Sequence, residues 1–183
     1  MVLLTLDDFD LKGKKVLLRT DINAPLDPRS GEILDISRIK GCIPTLERLT
    51  ESKVVILAHQ SRPGKRDFTT LERHSQVLRR LTKRRVNYVD DVFGECARKE
   101  ISRLEEGDIL VLENVRFCSE EVSTKIRAKP PIEQARTHLV RKLSSYVDFY
   151  VNDAFAVSHR SQPSVVAFPM VLPSCVGPTM ERE

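Results

Sequence analysis

The chain has 183 residues, 40% of them hydrophobic and 31% charged, with a formal net charge of +4. That length suits one well-buried domain, and the proportions are those of an average soluble protein, which argues against disorder, a fibrous repeat or a membrane-spanning segment. The weak positive balance demands no polyanionic partner and is compatible with a small anionic ligand.

From the N-terminus, the segment MVLLTLDDFD has too short an apolar stretch and the wrong charge for a secretory signal. The four cysteines, Cys42, Cys96, Cys118 and Cys175, form no CxxC pair and lack a histidine at finger spacing. Neither a disulfide framework nor a structural zinc site is indicated, so reduced and mostly buried thiols in a cytoplasmic protein are the expectation. Compact β-branched runs predict strands over 15–22, 54–59, 86–90, 109–115 and 148–152. Between them, apolar residues at helical spacing predict helices over 36–50, 69–83, 92–103 and 132–146. This alternation predicts an α/β fold of three layers, a Rossmann-like open parallel sheet with helices on both faces and right-handed crossovers. Residues 27–35 and 119–131 read as exposed loops. Asp90 and Asp91 are expected to cap the helix that follows them.

Four strand ends carry the polar residues: LLRTDINAP, VVILAHQSRP, ILVLENVRF and FYVNDAFAVSHRS. In an open parallel sheet the ligand crevice lies outside the carboxyl ends of the strands, so these endings should meet. Asp21 and Asn23 stand at i and i+2, a spacing that points both toward a hydroxylated ligand if the chain stays extended. The alternative is that they satisfy turn backbone before Pro25. His59 and Arg62 follow the second strand, Arg116 the fourth, and Arg160 sits beside His159 after the fifth. Surface arginines are usually solvated, and a strand-end histidine is usually structural. Convergence would alter both readings, because guanidiniums gathered without matching acids repel one another unless an anion of charge two or more lies among them. Arg38 could join them from the side.

No GxxxxGK[ST] or GxGxxG occurs, so a nucleotide cannot be cradled by a glycine-rich loop, and no HExxH or GxSxG favours a hydrolase. Aromatic residues at 5% and the absence of tryptophan speak against nucleic-acid binding. The basic run RRLTKRR (79–85) then reads as a solvated helix face. His74 and His138 receive no chemistry.

Taken together, the motifs resemble the N-terminal, substrate-binding domain of the phosphoglycerate kinase family. The family's RxDxNxP runs here from Arg19 to Pro25, its HxxRP from His59 to Pro63, its ENxRF from Glu113 to Phe117 and its NDAF…HR from Asn152 to Arg160. Where the commonest family version has Leu-Gly after the histidine and ends HRAH, this chain has Gln60 and Ser61, then Ser161 and Gln162, a variant similar to archaeal members. The resemblance implies that Asp21 and Asn23 hold the glycerate end of 3-phosphoglycerate, that His59, Arg62, Arg116 and Arg160 grip its phosphate, and that Arg38 faces the transferred phosphoryl group as the catalytic residue.

It further implies a substrate domain over 1–177, the start of an inter-domain helix over 178–183, and a separate C-terminal nucleotide domain absent from this chain. On that reading the chain binds 3-phosphoglycerate or 1,3-bisphosphoglycerate but turns nothing over alone, with no metal or cofactor of its own. Mg-ATP and Mg-ADP belong to the complete enzyme. The apolar run 165–176 would pack against the missing half. The alternative is a stand-alone, non-catalytic module that binds a phosphorylated metabolite.

Overall fold

The computed structural model describes residues 3–183; Met1 and Val2, which open the segment tested above for a secretory signal, lie outside it. Six strands form one sheet: β1 (Lys15–Thr20), β2 (Lys53–Leu57), β3 (Val86–Tyr88), β4 (Ile109–Val111), β5 (Phe149–Asp153) and β6 (Ser174–Val176). Their order is β3-β4-β2-β1-β5-β6, and every neighbouring pair is parallel. The chain winds away from β1 on one side through β2, then returns to its other side as β5. The strand order therefore reverses between β1 and β5.

Side chains alternate across the sheet, and both faces are covered, which is why the strands read as unbroken apolar runs. Val16, Leu18 and Ile56 pack on one face, whereas Leu17, Val55, Leu57 and Leu110 pack on the other. The first face is covered by α1 (Ser37–Gly41), α2 (Ile43–Arg48) and α3 (Glu72–Thr82), which contribute Ile39, Leu46, Val77 and Leu78. The second lies under α4 (Glu95–Ser102) and α8 (His138–Ser144), with Ala97, Ile101, Leu139 and Leu143. Three short helices, α5 (Ser119–Val122), α6 (Thr124–Arg127) and α7 (Pro131–Gln134), link β4 to α8, and α9 (Pro178–Arg182) follows β6. This is the expected three-layer α/β architecture.

Several details differ from the sequence reading. The helix expected over 36–50 breaks at Cys42 into α1 and α2, because Pro44 has no N–H to donate and its ring would clash with the carbonyl of residue 40. The helix expected over 132–146 breaks too, since the Glu120 carboxylate accepts the amides of His138 (3.0 Å) and Leu139 (2.9 Å) and starts α8 afresh. Residues 119–131 are largely exposed, as expected, but they are not all loop: they contain α5 and α6, and Glu121 is completely buried. Strand β6 has no counterpart among the expected strands, because three residues between prolines give no periodicity. The apolar run that contains β6 serves this domain's own core through Val165, Ala167, Phe168 and Cys175, leaving Met170 and Val171 outside.

The basic run is likewise more than a solvated face. Arg84 donates to the carbonyls of Gly107 (2.8 Å), Leu46 (2.8 Å) and Leu49 (3.2 Å), closing the end of α2, and Arg79 donates to Val86. Asp91 caps α4 by accepting from Gly94 (2.7 Å) and Ala97 (3.0 Å), while Asp90 is exposed. All four cysteines are free, and three are buried.

The carboxylate of Asp153, at the end of β5, accepts from the amides of Thr179 (2.7 Å) and Met180 (3.3 Å) and from the hydroxyls of Thr179 and Thr45. It thus fastens the start of α9 and α2 to the end of β5. Gly177 lies so close that a Cβ there would stand 2.5 Å from the Asp153 carboxyl carbon. Gly177→Ala should therefore destabilise the domain by about 1–3 kcal/mol in urea unfolding. An unchanged midpoint would show that the Asp153 junction yields freely.

Candidate functional site

The segments leaving the carboxyl ends of β1, β2, β4 and β5 meet around a cleft of ≈ 440 Å³, beside the point where the strand order reverses. Asp21, Asn23, Arg38, His59, Arg62, Arg116 and Arg160 all line it, together with Lys65 and Asp67. All seven candidate site residues are thus brought to one place. Five cationic side chains (Arg38, Arg62, Lys65, Arg116 and Arg160) face two carboxylates (Asp21 and Asp67), an excess of three positive charges.

Each motif reaches the cleft for a local reason. After β1 the Asp21 carboxylate accepts the Asn23 amide at 3.0 Å, and its other oxygen pairs with Arg38, delivered by α1. The turn reading of this motif therefore holds, and Asp21 and Asn23 also line the cleft. The Asn23 side chain accepts the Ser61 amide at 2.6 Å, tying the segment after β1 to the one after β2. Asn114 caps the turn that follows β4 by accepting the Arg116 amide at 3.1 Å. Arg116 in turn donates Nη1 to the Ser61 carbonyl, while its buried Nη2 has no partner among the described residues.

The crowding of positive charge leaves an electrostatic mark. The Arg116 guanidinium is pushed down to about 10 by burial and by Arg160 and Arg19. His59 is pushed down to about 2, first by burial and then by Arg19, Arg116, Arg160 and Arg38. Its Nδ1 lies 3.2 Å from Nη2 of Arg19, which can only donate, so the ring is neutral and carries its proton on Nε2. His59 is therefore a neutral hydrogen-bond donor for the cleft.

Arg19 itself received no role from the sequence, although it lies within a motif. It is fully buried on β1, donating to the Thr20 carbonyl (2.7 Å) and to Ser164 Oγ (3.1 Å) as well as facing His59. The Ser164 hydroxyl donates to Glu121 Oε1 at 2.6 Å and its amide to Oε2 at 3.0 Å. Burial raises the pKa of Glu121, and Arg19, the bonds from Ser164 and Arg116 oppose that rise. An arginine directly after the apolar run of β1, still within the strand, was the available signal for this relay. Nothing marked Glu121, lodged in a segment that reads as loop.

Removal of one partner should leave a buried charge uncompensated. Arg19→Met and Glu121→Gln should each cost about 3–5 kcal/mol in chemical denaturation, and the double variant should cost less than the sum of the two. Additive losses would show that the two charges do not interact through Ser164.

The model of the family described as "Phosphoglycerate kinase" matches residues 6–183. Among curated relatives, the phosphoglycerate kinase of Methanothermus fervidus is 58% identical over 181 residues, covering 98% of this chain and 43% of that protein. That of Sulfurisphaera tokodaii is 52% identical over 180 residues, covering 97% and 42%. Among solved structures, phosphoglycerate kinase from Pyrococcus horikoshii OT3 superposes with a TM-score of 0.92 at 43% identity, over 98% of this chain and 44% of that one. The enzyme from Coxiella burnetii gives 0.76 at 26% identity, over 99% and 43%. The chain spans less than half the length of these proteins. With its motifs gathered in one cleft and its fold and sequence matched along almost its whole length, the chain belongs to the phosphoglycerate kinase family.

Proposed function

We propose that this chain forms the substrate-binding half of a phosphoglycerate kinase, in which 1,3-bisphosphoglycerate gives up its acyl phosphoryl group to ADP, leaving 3-phosphoglycerate and ATP. The observation that carries this reading is the excess of three positive charges in a cleft whose Arg116 retains an unpartnered buried nitrogen. Such a cluster is stabilised by a phosphate dianion. In this reading Arg62, Arg116 and Arg160 hold the 3-phosphate with the Nε2–H of His59, while Asp21 and Asn23 receive the glycerate hydroxyl and carboxylate end.

Arg38, half-exposed and paired with Asp21, is the group we assign to the transferred phosphoryl. Phosphoryl transfer asks little covalent chemistry of a protein, so positioning and neutralisation of the equatorial oxygens supply most of the acceleration. Loss of Arg38 would then lower turnover more than affinity. Among the described residues no group of three or more His, Cys, Asp or Glu side chains could hold a metal ion. We assign the magnesium nucleotide to a second domain corresponding to the portion of the relatives outside the matched stretch, with residues 1–177 as the substrate domain and α9 as the start of the joining helix. No helix among the described residues is long and apolar enough to cross a membrane. A cytoplasmic setting completes the proposal.

Calorimetric titration of the 183-residue chain with 3-phosphoglycerate tests it. Arg62→Ala, Arg116→Ala and Arg160→Ala should each weaken binding by about 1.5–3 kcal/mol, roughly ten- to a hundredfold. A coupled assay with ATP should show no turnover by this chain alone, because closure of two domains assembles such a site. Turnover, or affinities unmoved by the three variants, would overturn the reading.

A further inference from the structure

Gln60 stands between His59 and Arg62, yet it is absent from the cleft lining and fully buried. Its side chain is saturated with bonds to three separate segments. Oε1 accepts the Ala24 amide at 2.9 Å, and Nε2 donates to the Ala24 carbonyl at 2.9 Å, a reciprocal pair like one rung of a sheet. Nε2 also donates to the Asp67 carbonyl at 3.2 Å, and Oε1 lies 3.0 Å from His74 Nε2 on α3. The Ala24 N–H can only donate, which fixes the end of the amide facing it as oxygen, and since an amide oxygen only accepts, His74 Nε2 is the donor. The backbone carbonyl of Gln60 accepts from Asn114 Nδ2 at 2.8 Å, joining it to the turn that carries Arg116.

The next residue records the constraint. Ser61 has φ of 54°, a left-handed conformation that costs a non-glycine residue about 1–2 kcal/mol and persists where surroundings over-determine it. Here its amide meets Asn23, its hydroxyl donates to Asp67 at 2.7 Å and its carbonyl accepts from Arg116. A leucine at position 60 would leave Ala24 N–H, Ala24 C=O and the Asp67 carbonyl without these partners.

We propose that Gln60 is a positioning residue: its buried amide splints the segment after β1 to the segment after β2, fixing the distance between Asp21 and Asn23 at one end of the substrate and Arg62 and Arg116 at the other. The inference rests on the substrate reading above. The splint matters for a ligand that must touch both ends at once, since preorganisation removes the cost of ordering the two segments on binding. A ligand that touches only the guanidiniums gains much less from it.

That difference separates positioning from mere stabilisation. Q60L and the isosteric Q60E are titrated with 3-phosphoglycerate and with inorganic phosphate, their folding is checked by thermal melting, and amide exchange of Ala24 and Ser61 is followed without ligand. Affinity for 3-phosphoglycerate should fall about tenfold and that for phosphate less than about threefold, with faster exchange at both amides. Equal losses for the two ligands, or exchange as slow as in the wild type, would overturn the proposal. If the wild-type chain binds phosphate but not 3-phosphoglycerate, the substrate reading falls while amide exchange still decides whether the splint exists.

Discussion

Repulsion among guanidinium groups is the constraint around which this domain is arranged. Arg38, Arg62, Arg116 and Arg160 come from segments far apart in sequence and meet with Lys65 in one cleft. Like charges do not assemble of their own accord, so the fold must hold them. The holding is done by short polar links: Asp21 to Arg38, Asn23 to Ser61, Ser61 to Arg116 and Asn114 to the Arg116 amide. Beneath them a fifth guanidinium, Arg19, is sealed inside the sheet and balanced through Ser164 by the buried Glu121. The sealed charge is compensated internally, while the cleft keeps its excess of three for a ligand.

The same arrangement settles the protonation of His59. An imidazole with Arg19 on one side and the cleft cations on the other is unfavourable as a cation, and burial adds to that penalty. The folded-state value, about 2, lies below the ordinary 6.5, so folding favours the neutral ring. This contribution to stability is complete above pH 6.5 and is lost as the pH falls below it. At neutral pH His59 gives the cleft a donor without adding a fourth excess charge.

How much of this could be read from residues alone depended on periodicity. The strand ends were legible because unbroken apolar runs such as VVIL stop abruptly at polar residues, and a parallel sheet places such endings on one edge. The helices were legible as apolar stripes, but their interruptions were not, because Pro44 and the Glu120 cap act through backbone geometry that a stripe does not encode. Glu121 was misplaced for the opposite reason. Its carboxylate is held by Ser164, 43 positions later, and through it linked to Arg19, and no local pattern carries that pairing. Strand β6 exists only by tertiary pairing, with β5 on one side and with Leu4 and Thr5 on the other.

A positively charged cleft with a neutral histidine suits a dianion. Titration of the chain with 3-phosphoglycerate from pH 5 to pH 8 probes that match. A phosphate group takes its second negative charge near pH 6. Affinity should therefore strengthen as the pH rises through about 6 and then hold level. Affinity that weakens above pH 6.5, as it would if a protonated His59 supplied the attraction, would contradict the account.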